Sequence, residues 1–237
     1  ADLPRRNTLR FVAYSGEEQG LLGAKALASR SRTESWSILG VLNNDMIGSS
    51  SNLHGQSDES AVRVFGEEGR SRELARVTEY RVRQSLPHFR VKLVLRHDRF
   101  GRGGDHTPFD QAGYPAVRFT EVHEEYSRQH TLEDLPEAMD FRYLANVTSV
   151  NLIGLRALAQ TGIEPTKVTI TRDQSHDTHL TWEGPADLYE VFWRDTASSV
   201  WEGSQLVDGT EARLPRINKD DHFFGVCSLG GIPVPAE

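Results

Sequence analysis

Leu9-Arg10-Phe11-Val12-Ala13-Tyr14 runs into Ser15-Gly16-Glu17-Glu18-Gln19-Gly20, and a Leu- and Ala-rich stretch follows to Ser29. The first six residues read as a strand, the next six as a turn, and Gln19 to Ser29 as a helix. Strand, turn and helix in that order form the repeating unit of an α/β fold. The turn carries two adjacent carboxylates, which repel each other and are costly to bury without a cation. The pair therefore points to a metal site, in which one glutamate ligates and its neighbour works as a base. The plainer reading is two solvated acids in a first helical turn, where the helix dipole favours them.

Working outward, the alternation continues. Trp36 to Met46 reads as a buried strand that closes on Asp45, and Glu59 to Ser85 shows helical spacing through Val62, Phe65, Leu74 and Val77. Val91–Leu95 and Ala116–Phe119 are strand-like. Phe141 to Gln160 is helical, with Leu144, Val147, Val150, Leu152 and Leu155 on its apolar face. Residues 1–162 are thus expected to form one α/β domain. Gly162-Ile163-Glu164-Pro165 closes the last helix and reads as a linker. From 166 to 237 the character changes to short β-type runs at Val168–Arg172, His179–Trp182, Tyr189–Trp193 and His222–Val226. Turns fall at Gly184-Pro185, Asp208-Gly209 and Gly230-Gly231, the pattern of a small β-sandwich. The stretch is shorter than the roughly 100 residues usual for that class, so one strand is expected to be missing.

Composition narrows the function classes. The chain has 237 residues, 37% hydrophobic and 26% charged, which fits a soluble globular protein without a membrane span. A formal charge of −7 argues against nucleic acid as a partner. The arginines at 70, 72, 76, 81 and 83 are interleaved with acids and read as a solvated face. Cys227 is the one cysteine, so internal disulfides and cysteine-built metal sites are excluded. Ala1 to Arg6 shows no apolar leader.

Four segments carry chemistry: Glu17-Glu18; Asn43-Asn44-Asp45-Met46-Ile47-Gly48; the glycine-rich Gly101-Arg102-Gly103-Gly104-Asp105-His106-Thr107-Pro108-Phe109; and Gln129-His130-Thr131-Leu132-Glu133-Asp134. In open α/β sheets, sites gather at the carboxyl ends of strands, where Glu17, Glu18 and Asp45 all lie. Carboxylates joined by a histidine make a donor set that suits zinc. Each segment also has a bland reading, as a cap, a turn or a surface histidine.

In this order the segments, with Gly113-Tyr114-Pro115-Ala116, resemble the zinc-dependent aminopeptidases of the bacterial leucyl-aminopeptidase type over residues 7 to about 160. The resemblance implies a zinc-exopeptidase α/β/α sandwich, with Glu17 as the general base that activates water. It implies Glu18 and His130 as ligands of one zinc and Asp45 as a ligand of a second. Asp105 and His106 would border the substrate, and Asp134 would stand behind His130. Residues 166–237 resemble a fibronectin type III module, which is compatible with secreted bacterial members, and the family resemblance implies a secreted or periplasmic protein. Substrates would be peptides, or small amides and esters.

The chain departs from the family pattern in one respect. The family's His-x-Asp ligand and its bridging Asp belong upstream of Asn7, where Asp2 is the one acid and no histidine occurs. Paired metals about 3.5–4 Å apart lean on such a bridge. One zinc on Glu18, Asp45 and His130 remains an arrangement of catalytic type. His97, next to Asp98, and His123 are further donors in reach of the sequence reading. Phe109, Phe119 and Tyr126 are candidates for an apolar pocket. Absent central strands would expose sheet edges that pair with a second copy or another chain. The alternative to a hydrolase is a remnant that binds or assembles without turnover.

Overall fold

In the computed structural model, which describes residues 6–98, 102–172 and 176–237, contacts divide the chain into two units. One is Phe11–Gly154; the other joins the residues up to Arg10 with Leu155–Glu237.

The first unit is α/β. Its sheet holds β1 (Val41–Asn44), β2 (Ala61–Gly66), β3 (Arg90–Val94) and β4 (Ala116–Thr120), in the order β1-β4-β2-β3. β1 runs parallel to β4 and β2 parallel to β3, while β2 and β4 are antiparallel. The helices are α1 (Leu22–Thr33), α2 (Gly69–Ser85), α3 (Thr107–Gln111) and α4 (Phe141–Gln160). α2 packs on β2, β3 and β4, burying Leu74, Val77 and Val82. Each such apolar side chain contributes roughly 1.5–3 kcal/mol by leaving water. A second cluster gathers Ala24 and Ala28 of α1, Phe109 of α3 and Ala116 of β4, with Tyr14 and Ile38 at its edge.

Two expected elements differ. Glu59–Ser85 is not one helix, because its first part is β2. Val62 and Phe65 are three apart and mimic helical spacing, yet nearly the whole of Ala61–Gly66 is buried, as a strand covered on both faces requires. Asn7–Tyr14 is not a strand. Phe11 is 86% exposed, and among the described residues no neighbouring strand supplies a ladder for this segment's N–H and C=O groups.

The second unit contains a sandwich of two antiparallel sheets. β5 (Thr166–Ile170), β6 (Thr178–Glu183) and β9 (Glu211–Leu214) form one, in the order β5-β6-β9. β7 (Leu188–Asp195), β8 (Gly203–Asp208), β10 (His222–Ser228) and β11 (Val234–Pro235) form the other, in the order β11-β10-β7-β8. β6 shows the cause: Thr178, Leu180 and Trp182 are buried while the residues between them are not, the period-two pattern of a half-covered strand. Leu180 and Trp182 meet Tyr189, Val191, Phe224 and Val226 of the facing sheet in one core. Among the described residues the sandwich has seven strands, so the expected gap of one strand is not seen. β8 is largely polar and β11 has two residues, which is why neither stands out in the sequence.

Candidate active site

The chain enters the site through a tight turn. Leu21 N and Gly20 N both donate to Glu17 O, at 2.8 and 2.9 Å, and Leu22 N donates to Gly16 O at 2.9 Å. The turn forces Leu21 to φ +61°. Met46, directly after Asp45, has φ +56°, and His130 itself has φ +61°. Non-glycine residues held in the left-handed region cost of order 1–3 kcal/mol and cluster at functional sites.

His130 Nε2 lies 2.6 Å from Glu18 Oε1, across 112 positions of sequence. Both side chains are more than half exposed, so their attraction through water is modest. Asp45 follows β1 and is anchored by its N–H to Phe119 O at 3.1 Å. Its Oδ2 stands 3.2 Å from Nε of Arg118, a buried guanidinium on β4. Arg118 also reaches Asp98 Oδ2 at 3.2 Å and Gly103 O at 3.1 Å, and lies over the Phe65 ring. Gly104 passes so close that a Cβ there would sit 3.3 Å from Asp45 Oδ2, from Arg118 Cδ and from Asn43 Nδ2. That is tighter than ordinary contact, so a side chain here would need these neighbours to give by a few tenths of an ångström.

The acids feel one another. The Glu17 carboxyl is pushed up by burial, then by Glu18, Asp45 and Asp105, against a smaller pull from Arg118. Asp105 is raised by burial and by Asp45, and its Oδ1 is buried without a hydrogen-bond partner. Glu17, Glu18, Asp45 and Asp105 thus lie in one electrostatic neighbourhood, short of positive charge.

The remaining expected residues stand as follows. His106 is buried, with Nε2 3.1 Å from Glu67 Oε1, so it ties its loop inward to the end of β2. The other Glu67 oxygen is 2.7 Å from His97 Nδ1, and His97 Nε2 is 2.8 Å from Glu68. Burial would raise Glu67, but hydrogen bonds from His106 and His97 hold it below the usual carboxylate range. Asp134 is exposed; its N–H closes the local turn on Thr131 O, and the partner of His130 is Glu18 instead. Phe109 and Phe119 belong to the core, and Tyr126 lies under the Arg102 guanidinium. Gly101 lies outside the described residues. Sequence reasoning missed Glu67 and Arg118. It also missed the reciprocal amide pair Asn44–Asn151, at 2.9 and 3.1 Å, that fastens α4 to the end of β1.

The donor chemistry fits a divalent cation: carboxylates in excess, one histidine among them, and a buried carboxylate oxygen without a partner. The count does not reach a closed centre. Among the described residues no three His, Cys, Asp or Glu side chains are grouped tightly enough to hold an ion. Glu18 with His130 is a two-donor half-site, and Asp45 stands with Arg118.

The model of peptidase family M28 matches residues 1–153. The chain belongs to this family. A probable zinc metalloprotease of Leptosphaeria maculans is 37% identical over 95% of this chain and 60% of its own length. Another, from Pyricularia oryzae, is 37% identical over 94% of this chain and 53% of its own length. The M28 chain therefore spans little more than half the length of these curated relatives, which are fungal, whereas the sequence resemblance had pointed to bacterial members. Among solved structures, the LapA aminopeptidase of Legionella pneumophila superposes with a TM-score of 0.57 at 19% identity, covering 69% of this chain and 42% of that one. That likeness establishes the α/β fold. Among the described residues no helix is long and apolar enough to cross a membrane.

Proposed function

We propose that this M28 chain carries one side of a zinc-dependent peptidase centre, with Glu17 as general base and Glu18, Asp45 and His130 as ligands. The observation that carries the reading is the Glu18–His130 pair at 2.6 Å, set beside Glu17, Asp45 and Asp105. Zinc, when bound, would supply Lewis acidity and bring the pKa of water toward about 7. Glu17 takes up a proton and hands it to the leaving amine. Its upward-shifted carboxyl suits this, since a base works best with a pKa near the operating pH. The excess of carboxylates favours a substrate with a free α-amine, which makes aminopeptidase action on peptides the specific form of the proposal. Simple amides and esters demand less of the leaving-group acid and are the first substrates to try. The strand order of the sandwich supports its assignment as a fibronectin type III-like module beside the peptidase unit.

The test combines elemental analysis of the chain, purified without chelator, with turnover of a chromogenic aminoacyl amide. Bound zinc, and a Glu17→Gln variant that keeps the zinc but loses roughly 10²–10⁴-fold in rate, are the expected results. Full turnover in that variant, or in chelated protein, would overturn the reading. That the described residues hold no three-donor group favours a second reading, binding or assembly without catalysis. Neither zinc nor turnover would support that second reading.

A further inference from the structure

Two buried groups of opposite charge join residues 97–98 to residues 103–106. Arg118 joins Asp98 on one stem to Gly103 on the other, at 3.2 and 3.1 Å. Glu67 joins His97 on the first stem to His106 on the second, at 2.7 and 3.1 Å. Arg118 is 1% exposed and Glu67 3%. Such burial is tolerated only where each charge is compensated. Both clamps therefore hold the stems together, and one of them also touches the site. Besides its two stem contacts, the Arg118 guanidinium lies 3.2 Å from Asp45 Oδ2. Asp45 is about one-third exposed, a carboxylate still open to a ligand.

We propose that Arg118 is a positioning residue for the metal site: it fixes Asp45 through Oδ2 and carries Gly103–Asp105 against it. The inference rests on the zinc reading above and adds to it a residue that no motif marks. A carboxylate that ligates through one oxygen and is held through the other loses less freedom when the cation arrives. The approach of Nε to Asp45 is an ion pair without hydrogen-bond geometry, whereas Nη1 donates to both Asp98 and Gly103 O; a lysine would keep the charge but not these placed contacts.

Zinc affinity, measured by competition with a chromophoric chelator, tests this on the full chain and on Arg118→Lys, Asp45→Asn and the double variant. Arg118→Lys is expected to weaken zinc roughly 10–100-fold, the usual cost of losing a group behind a ligand. It should have no further effect once Asp45→Asn is present. If Arg118→Lys matches wild type while Asp45→Asn weakens zinc, the inference falls and the zinc reading stands. If the two losses simply add, Arg118 acts on the fold in general and the inference falls again. A wild-type chain that takes up no zinc removes both. Should Arg118→Lys fail to fold, Asp98→Asn weakens what holds the Arg118 guanidinium in place, and the Arg102 contact with it, while both members of the Arg118–Asp45 pair remain. Weaker zinc binding in that variant supports the proposal, and unchanged binding overturns it.

Discussion

Glu121, at the end of β4, is a buried carboxyl that accepts the N–H of Ser49 at 2.6 Å. Burial outweighs that bond and its neighbours, and pushes the group up to about 7 from an ordinary 4.5. Below pH 4.5 the carboxyl is protonated whether the chain is folded or not, and the stability linked to it is complete. As pH rises, the unfolded chain ionises first while the folded one keeps its proton to about 7. Stability is therefore lost between about pH 4.5 and 7, by something on the order of 3 kcal/mol. Asp58 runs the other way in a separate window. Burial would raise it, but hydrogen bonds from Lys92 and Ser60 hold it at about 2, so its contribution is lost only as pH falls below about 4. Urea midpoints measured from pH 4 to 8 should fall with pH in wild type and fall distinctly less in Glu121→Gln. An equal slope in both would show that Glu121 does not titrate in this range. At this scale the sequence was informative where a residue type is conspicuous at a strand end, as with Glu17, Glu18 and Asp45. It was silent on Glu67 and Arg118, whose roles come from partners 15 to 73 positions away. Nothing local distinguishes Arg118 in Ala116-Val117-Arg118-Phe119 from an ordinary strand arginine.

Among the elements, β2 and α2 show how far a local pattern can be trusted. The α4 helix was legible because its apolar face recurs over 20 residues, and the β3 and β4 strands because they are short apolar runs. The β2–α2 boundary was hidden, since Val62 and Phe65, three apart, fit helical spacing, and a strand buried on both faces shows no alternation to set against it. Asn7–Tyr14 was misread for a different reason. Its composition suits a strand, but a strand exists only with a neighbour, and composition does not report one. Gly66 is the residue that makes the β2–α2 junction. A Cβ at this position would lie 2.6 Å from Ser71 O and 2.9 Å from Ala75 Cβ, so α2 approaches the strand end as only glycine allows. Gly66→Ala must push α2 off β2, in the element pair that also holds Glu67. A loss of about 1–3 kcal/mol is expected, as for other overpacked sites. The same substitution at Gly55, in open space but at φ +72°, should cost about 1 kcal/mol through backbone strain alone. Chemical denaturation of both variants checks the contrast, and equal losses would argue against close packing at Gly66.

At the scale of the whole molecule, contacts group the end of α4 with the sandwich, ahead of the Gly162–Pro165 stretch that reads as a linker. The unit containing the sandwich begins at Leu155, inside α4. The physical reason lies in what the end of that helix touches. Gly230 sits against the Ala157 carbonyl, Gly231 against the Thr161 hydroxyl, and Thr161 Oγ1 is 3.1 Å from Ser228 Oγ. Asn7 caps the same helix end, its side-chain amide donating to Leu158 O and Thr161 O at 2.9 and 3.0 Å. A terminal helical turn so fastened is part of the sandwich unit and not a tether to it. Two fragments separate these views. One starts at Leu155 and keeps the last turns of α4; the other starts at Ile163, at the apparent linker. If the helix end is integral, the longer fragment unfolds in urea cooperatively and at a distinctly higher midpoint. The shorter one loses the contacts to Ser228, Gly230 and Gly231 and unfolds earlier. The difference should reach about 1 kcal/mol or more, since it removes a buried hydrogen bond and the packing beneath it. Equal midpoints would mean that Gly162–Pro165 is the true joint and that α4 belongs wholly to the peptidase-like part.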